Sequence, residues 1–240
     1  MNYSGKSILI TGASRGLGQA LAFHLAERGA RLALVARTTA PLEETVQTIR
    51  QRGGIAFAIQ ADVADKRAIY PIVAQAAELA GPIDVLINNA GFGLFANLVD
   101  SKTEDFDAMF AVNVRGLYLC CRYALKSMIE KQAGTIINIA SIAGKSAVPS
   151  ASIYSATKHA VIGLSGSLFM EVRKHNVRVT TICPGSVDTH FFDAPGTILN
   201  SSRESILSAE DIAESCYLAA NLPVNATISE IELRPTNPKN

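Results

Sequence analysis

Short apolar runs alternate with segments of helical periodicity along the whole 240-residue chain. The runs are too short for helices and rich in β-branched residues, as buried parallel strands are. Each helical segment lies between two such runs, which is the pattern of repeated strand–helix–strand units. The alternation predicts a single α/β domain (residues 1–240) in which helices cover both faces of a parallel sheet.

The same pattern predicts where each element lies. Residues 64–80 have a helical period but contain Pro71, so this helix either begins near Tyr70 or kinks there. A long helix at 103–131 is expected to break between Asn113 and Gly116. The predicted strands are 7–10, 31–36, 55–60, 83–87, 135–140, 177–182 and 230–233, and the other predicted helices are 19–28, 40–52, 152–175 and 210–221.

Three glycines, Gly12, Gly16 and Gly18, lie between the first predicted strand and the first helix. Backbone N–H groups and a helix N-terminus in such a turn can receive a phosphate. Glycine is needed where a Cβ would keep a pyrophosphate away. The spacing Gly-x-x-x-Gly-x-Gly is weak evidence alone, because glycine-rich turns between strands and helices are common. An ordinary tight turn explains this segment equally well.

Small or hydrogen-bonding residues follow each of the first six predicted strands. In parallel α/β sheets, ligands bind beyond the carboxyl ends of the strands, where the strand order reverses. The sequence therefore predicts one ligand crevice at this edge of the sheet. The residues at the strand ends are the glycine turn, Arg37, Asp62 with Val63, Asn88 to Gly91, Ser141, and Pro184 with Gly185.

Tyr154 and Lys158 lie one helical turn apart, so their side chains share a face of the helix. A phenol exchanges protons poorly at neutral pH unless a neighbour shifts its pKa, and a nearby ammonium lowers that pKa. Ser141, at the end of the preceding strand, could hydrogen-bond the same substrate oxygen. The alternatives are that the Tyr-x-x-x-Lys pair arises by chance and that Asn113 caps a broken helix.

Together these motifs resemble those of the short-chain dehydrogenase/reductase family, from about residue 6 to residue 233. The resemblance implies a single Rossmann-type domain with a doubly wound parallel sheet, which transfers hydride between a nicotinamide and a carbonyl or alcohol carbon. Residues 230–236 are most similar to those of the NADPH-dependent carbonyl and sepiapterin-type reductases. The motifs are residues 11–18 (Thr-Gly-Ala-Ser-Arg-Gly-Leu-Gly), Asn88-Asn89-Ala90-Gly91, Asn113, Ser141, Tyr154 with Lys158, and Pro184-Gly185-Ser186-Val187-Asp188-Thr189.

The resemblance also implies a role for each matching residue. Tyr154 would be the general acid in reduction, and Lys158 would lower its pKa and hold the nicotinamide ribose. Ser141 would orient and polarise the substrate carbonyl, and Asn113 would anchor a water in the proton relay. The cofactor would be bound by Gly12, Ser14, Arg15, Gly16, Leu17 and Gly18; by Arg37; by Asp62 and Val63 at the adenine; by Asn89, Ala90 and Gly91 as a floor; by Tyr154 and Lys158; and by Pro184, Gly185, Val187 and Thr189 near the carboxamide.

Arg37, after the second predicted strand, favours NADPH/NADP+ over NADH. NAD-specific sites place an acidic residue there, and this chain has none between Glu27 and Glu43. A guanidinium can bind a 2′-phosphate through two hydrogen bonds, and Arg15 could approach the same phosphate from the glycine turn. Alternatively, both arginines are solvated side chains on exposed turns.

The favoured function is the reversible reduction of a ketone or aldehyde. The alternative is a 3-oxoacyl-thioester reductase of the acyl-carrier-protein type, although Gln132 and His175 occupy the positions of that group's two docking arginines. A non-catalytic NADP-binding regulatory protein is less favoured, because all four catalytic positions are present. Specificity is expected from a loop at about 186–208. The substrate is expected to be of modest size, uncharged and largely apolar, and to contact the apolar side chains Phe92, Leu94, Phe95, Phe191, Phe192, Ile198 and Leu199. Alternatively, these side chains only pack the core.

Composition argues against several other partners. The net charge of +1 disfavours nucleic-acid or membrane surfaces, and no apolar run is long enough to span a bilayer. The first residues lack the apolar core of a signal peptide, and the four cysteines and four histidines lack metal-ligand spacing, so a cytoplasmic enzyme without a metal is expected. The family resemblance implies a dimer or tetramer formed through the two long helices at 103–131 and 152–175. Because both carry more apolar residues than one buried face requires, a homotetramer, or else a dimer, is expected. These residues are Leu117, Leu119, Leu164, Leu168, Phe169 and Met170.

Overall fold

A single parallel sheet of seven strands forms the centre of the molecule. The computed structural model describes residues 3–193, 202–223 and 225–238. The strand order is β3-β2-β1-β4-β5-β6-β7, which is a doubly wound Rossmann-type sheet and confirms the predicted fold class. The strands are β1 (Ser7–Thr11), β2 (Arg31–Ala36), β3 (Ile55–Gln60), β4 (Val85–Asn88), β5 (Gly134–Ile139), β6 (Val177–Pro184) and β7 (Glu230–Leu233).

Helices cover both faces of this sheet and enclose two separate apolar cores. One core contains residues of α1, α2 and α7, and the other contains residues of α3, α5 and α6. All five residues of β1 are buried, because the sheet is covered on both sides at its centre. The helices are α1 (Gly16–Ala26), α2 (Thr39–Gln51), α3 (Ile69–Ala80), α4 (Thr103–Phe110), α5 (Leu117–Glu130), α6 (Ser152–Val172) and α7 (Ala209–Ala220).

Two local features of the helices agree with the sequence. Pro71 lies in the first turn of α3, where its missing N–H costs no helical hydrogen bond, so the prediction of a late start is confirmed. A π-helical turn at Ala111–Gly116 separates α4 from α5, which confirms the predicted break. The turn buries Asn113.

Several predicted ends differ by two or three residues, such as that of α6, which ends at Val172 rather than at 175, and two predicted starts were wrong. The first helix begins at Gly16 rather than at residue 19, because two of the turn's glycines belong to its first turn. The fourth strand begins at Val85 rather than at residue 83. Ile83 is buried, but the ladder with β1 starts only at the pair of Ile8 with Val85. Apolar character marks burial, whereas a strand requires a paired backbone.

The position of the site follows from the strand order. β1 pairs with β2 on one side and with β4 on the other, so the direction of winding reverses between β1 and β4. The glycine turn after β1 and the Asn89–Gly91 segment after β4 therefore flank the switch point. This is the edge at which parallel α/β sheets bind ligands.

Candidate active site

The glycine turn leaves the N-terminus of α1 free at the switch point. Gly12 and Gly16 have left-handed backbones, with φ of 69° and 55°. A Cβ on Gly18 would lie 2.1 Å from the carbonyl oxygen of Gly12, so Gly18 is required by the protein's own packing. Arg15 precedes α1, and no side chain caps the helix. Its first N–H groups are therefore available for a phosphate.

Asn89 and Thr11 join the ends of β1 and β4. The Asn89 amide donates to the carbonyls of Thr11 and Gly12, at 3.0 and 3.1 Å. The Thr11 hydroxyl accepts the backbone N–H groups of Asn89 and Ala90, both at 3.1 Å. The role of the Thr11 hydroxyl was not predicted, although a polar residue closing an apolar strand is a usable signal. This network holds the glycine turn against the segment that was predicted to be the cofactor floor.

Tyr154, Lys158 and Ser141 meet at the carboxyl end of β5. Lys158 Nζ lies 5.6 Å from the centre of the Tyr154 ring and donates to the Ile139 carbonyl at 2.9 Å. Ser141 Oγ accepts the N–H of Ala143 at 3.1 Å and donates to the Pro184 carbonyl at 3.5 Å, and it lies close enough to Tyr154 to lower the pKa of its phenol. Tyr154 and Lys158 are both buried. The end of β5 and the first turns of α6 thus form one compact polar cluster.

Asn113 holds the segment after β4 and does not cap a helix. Its Oδ1 accepts the N–H of Phe92 at 3.0 Å, and its Nδ2 donates to the Phe92 carbonyl at 2.8 Å and to Thr157 Oγ1 at 3.1 Å. Both amide protons are therefore used by the protein itself. Thr157 was not singled out from the sequence, although a threonine inside the Tyr154–Lys158 helical turn marks the same buried face. A Cβ on Gly91 would lie 3.2 Å from Asn113 Oδ1 and 3.6 Å from Lys158 Nζ.

Burial dominates the titration of this cluster. Burial raises the pKa of Tyr154 to about 12, and the hydrogen bond with Ser141 opposes this only in part. Burial also lowers the pKa of Lys158 to about 8. In the protein alone burial therefore outweighs any lowering of the Tyr154 pKa, and the role of Lys158 in lowering it stays a prediction. A low-dielectric environment disfavours the charged form of each group, and the ammonium lies over the ring.

The other predicted cofactor residues line the same edge of the sheet. Arg15 and Arg37 are exposed, and within the described ranges neither guanidinium has an ion-pair or hydrogen-bond partner. Thr189 lies against the glycine turn, 3.5 Å from the position of a Cβ on Gly16. The remaining residues follow their strands: Ser14 and Leu17 in the glycine turn, Asp62 (accepting the Ala64 N–H at 2.8 Å) with Val63 after β3, and Pro184, Gly185 and Val187 at the end of β6.

Aromatic rings surround Tyr154. Its ring centre lies 5.5 Å from that of Phe95 and 5.6 Å from that of Phe191, and these two phenyl rings are 5.9 Å apart. Phe92 and Leu94 belong to the same cluster, and Phe192 stacks edge-on against Phe191. The predicted apolar wall thus surrounds the tyrosine. Two of its predicted members, Ile198 and Leu199, lie outside the described residues.

Gln132 and His175 lie at the opposite edge of the sheet. They precede β5 and β6, whereas Tyr154 lies beyond the carboxyl end of β5. Gln132 Nε2 donates to His175 Nδ1 at 3.0 Å. A carrier protein bound at Gln132 and His175 would therefore lie at the edge of the sheet opposite to Tyr154 of the same chain.

Neither a membrane span nor a metal cluster is found in the described part of the chain. No helix there is long and apolar enough to cross a bilayer. No group of three or more histidine, cysteine or acidic residues lies close enough together to hold a metal ion.

A free helix N-terminus at the switch point and a buried tyrosine at the same edge of the sheet are typical of oxidoreductases that bind a dinucleotide. Residues 6–196 match the short chain dehydrogenase family, and the chain belongs to that family. A curated relative, an uncharacterized oxidoreductase of Thermotoga maritima, is 39% identical over 79% of this chain and 74% of its own.

Two solved structures resemble the whole chain. A metagenomic short-chain oxidoreductase in complex with NADP has a TM-score of 0.86 and 36% identity, covering 98% of this chain and 99% of its own. An alcohol dehydrogenase of Thermococcus sibiricus complexed with 5-hydroxy-NADP has a TM-score of 0.88 and 30% identity, with the same coverage of both chains. The chain is therefore an oxidoreductase of this family.

Proposed function

We propose that the chain is an NADP(H)-dependent enzyme that interconverts a ketone or aldehyde with an alcohol, with Tyr154 transferring the proton. The observation that carries the proposal is the buried cluster of Tyr154, Ser141 and Lys158 at the edge of the sheet where α1 also begins without a side-chain cap. The structural neighbours complexed with NADP and 5-hydroxy-NADP support the choice of cofactor.

The chain's own residues fit a dinucleotide. The uncapped N–H groups of α1 would hold the pyrophosphate, since the left-handed Gly16 brings no side chain over them. Asp62 and Val63 would lie at the adenine, and Arg15 and Arg37 would bind the 2′-phosphate. When bound, the nicotinamide supplies or accepts the hydride at the reacting carbon. Its ring and ribose would contact Asn89, Ala90, Gly91, Lys158, Pro184, Gly185, Val187 and Thr189.

Each residue of the polar cluster would have a separate role in reduction. Ser141 would hydrogen-bond the substrate oxygen and orient it towards Tyr154. With its pKa raised to about 12, Tyr154 is protonated at neutral pH, which is the form that a general acid needs. The Lys158 ammonium would stabilise the phenolate after the proton has left. Phe95 and Phe191 would exclude water from this transfer.

The substitution Tyr154→Phe tests the assignment. It removes the proton donor and keeps the ring among its aromatic neighbours. We expect kcat to fall by ~10²–10⁴-fold, with little change in the dissociation constant of NADP+ measured by calorimetry. Tyr70→Phe, at an exposed tyrosine, is the matched control and should leave kcat unchanged. Near-normal turnover of the Tyr154→Phe enzyme would contradict the proposal.

A substrate panel separates the remaining alternatives. We propose that specificity lies in the loop at about 186–208, of which residues 194–201 are outside the described ranges. Diketones and aldehydes represent the favoured carbonyl reductase, and acetoacetyl thioesters the 3-oxoacyl alternative. A regulatory protein would bind NADPH and turn over neither class. The likeness of residues 230–236 to sepiapterin-type reductases stays a prediction.

We also propose that the enzyme acts in the cytoplasm. Cys120, Cys121, Cys183 and Cys216 are all buried and unpaired, as is usual for proteins in a reducing compartment. Fractionation of cells that produce the protein tests this location.

A further inference from the structure

A cavity of about 170 Å³ lies next to the Tyr154 cluster, between the segment after β4 and the start of α6. Its apolar walls include Leu94, Phe95, Met109 and Ile153. These four side chains also belong to the cluster that packs around Tyr154, and the Phe95 ring centre is 5.5 Å from that of Tyr154. The cavity and the tyrosine therefore share one wall.

Three polar residues also line the cavity, and the side chain of each can accept a hydrogen bond. They are Asp105, Ser101 and Ser150. The Ser101 hydroxyl donates its proton to the Leu98 carbonyl at 2.8 Å, and the Ser150 hydroxyl donates to Asn97 Oδ1 at 2.9 Å. Because each hydroxyl has spent its only proton, each serine oxygen can act towards a ligand only as an acceptor.

Within the described ranges, Asp105 has no partner that would neutralise it. Among the described residues, no cation or hydrogen-bond donor lies within bonding distance of its carboxylate. A carboxylate with two hydroxyl oxygens matches a primary ammonium group, which has three donors and no acceptor. Charge-assisted hydrogen bonds of this kind are stronger than neutral ones.

We propose that this cavity is a subsite of the active site that binds a primary ammonium group on the substrate. Asp105, Ser101 and Ser150 hold the ammonium, and the apolar walls hold the carbon chain that leads to the reacting carbon at Tyr154. This inference rests on the proposed function. It departs, at one end of the substrate, from the sequence-based expectation of an uncharged molecule.

The competing explanation is that Asp105 only stabilises the N-terminus of α4. Acidic residues in the first turn of a helix interact favourably with its dipole. Glu104 lies in the same turn but is exposed and does not line the cavity. Asp105→Asn and Glu104→Gln therefore remove equal charges from the same helix turn, and only the first changes the cavity.

The first experiment compares two alcohols of the same shape, 5-amino-2-pentanol and 2-hexanol, with NADP+. We expect the unmodified enzyme to favour the amino alcohol in kcat/KM by about tenfold or more. Asp105→Asn should bring the ratio of the two kcat/KM values close to one, whereas Glu104→Gln should leave both kcat/KM values and their ratio unchanged. Absence of the preference in the unmodified enzyme, or its persistence in Asp105→Asn, overturns the subsite.

The second experiment measures binding without turnover. Calorimetry gives the affinity of the NADP+-loaded enzyme for pentylammonium and for 1-pentanol, before and after Asp105→Asn. Ammonium binding that depends on Asp105 supports the subsite, and pentylammonium binding no tighter than that of 1-pentanol overturns the subsite alone. The proposed function fails separately, when no member of the carbonyl panel is reduced with NADPH.

Discussion

At the scale of single residues, Lys158 shows how packing can reverse a pKa argument. Its position one turn from Tyr154 predicts an ammonium that acidifies the phenol. In the folded chain the ammonium is itself buried, so its own pKa falls to about 8 while that of the phenol rises to about 12. In the protein alone, the loss of hydration outweighs the attraction between opposite charges.

This burial makes stability depend on pH. In the unfolded chain Lys158 titrates near its ordinary pKa of 10.5, and in the folded chain it titrates near 8. Between these values the unfolded chain binds more protons, so the free energy of unfolding rises with pH. The destabilisation caused by burying the Lys158 ammonium is fully present below pH 8 and disappears above the ordinary lysine pKa of 10.5.

The substitution Lys158→Met tests this dependence in the cofactor-free protein. At low pH the variant should have the higher free energy of unfolding, by ~3 kcal/mol at most, because it buries no charge. Denaturant unfolding at a series of pH values should show this difference disappearing as the pH rises through this window. Lys66→Met, at an exposed position, controls for the change in net charge. A difference that stays constant with pH would contradict burial of the charged form.

Arg37 carries the prediction on cofactor choice. Losing a charge-assisted contact with the 2′-phosphate costs roughly 1.5–3 kcal/mol, so the unmodified enzyme should favour NADPH over NADH by at least ~10-fold in kcat/KM. Arg37→Ala should remove most of this preference, and Ala36→Asp with Arg37→Ala should favour NADH. Arg52→Ala, at an exposed arginine paired with Glu27, is the control. Equal kcat/KM for both cofactors in the unmodified enzyme would refute the role.

At the scale of elements, the glycines of the turn are required by close packing of the backbone as well as by ligand binding. A Cβ on Gly12 would lie 2.8 Å from the Cα of Ala90, and one on Gly18 would lie still closer to the Gly12 carbonyl. The turn therefore packs β1, β4 and the start of α1 together. The free helix N-terminus depends on this close approach.

Gly18→Ala should consequently destabilise the protein, although alanine is the better helix former. The overlap with backbone atoms should lower the free energy of unfolding by ~1–3 kcal/mol or more and weaken NADP+ binding. Gln19→Ala, which removes one hydrogen bond to Thr45, is the neighbouring control and should retain NADP+ affinity. An unchanged denaturation midpoint for Gly18→Ala would contradict the close packing.

At the scale of the whole molecule, assembly stays a prediction. Tyr118 on α5 is 42% exposed and Met170 on α6 is 57% exposed, so both helices present large apolar side chains to solvent in the single chain. Leu117, in contrast, is buried within the chain. The exposed residues are the ones that a second copy would cover.

Light scattering at micromolar concentration tests the assembly. We expect a homotetramer, or else a dimer, and a smaller species for the double variant Tyr118→Glu with Met170→Glu. Ile55→Glu, at an exposed apolar residue on the edge strand β3, should leave the mass unchanged. A monomeric unmodified protein would refute the prediction.

The sequence by itself determined the α/β architecture, most of the element positions and the residues at the strand ends. These features follow from local periodicity and from Pro71 and the glycines, whose effects on the backbone do not depend on distant segments. Residues at the carboxyl ends of parallel strands must share one edge, so Arg37, Ser141 and the glycine turn were predicted to lie together.

Only the tertiary structure decided the properties that depend on distant neighbours. The pKa directions of Tyr154 and Lys158 follow from burial by segments that are remote in sequence, among them the one that carries Phe191. The ladder, not the apolar run, decided where β4 begins. The acceptor-lined cavity at Asp105 exists because α4, the segment after β4 and α6 pack together. Burial and cavities are sums over contacts between separate segments, which no local pattern records.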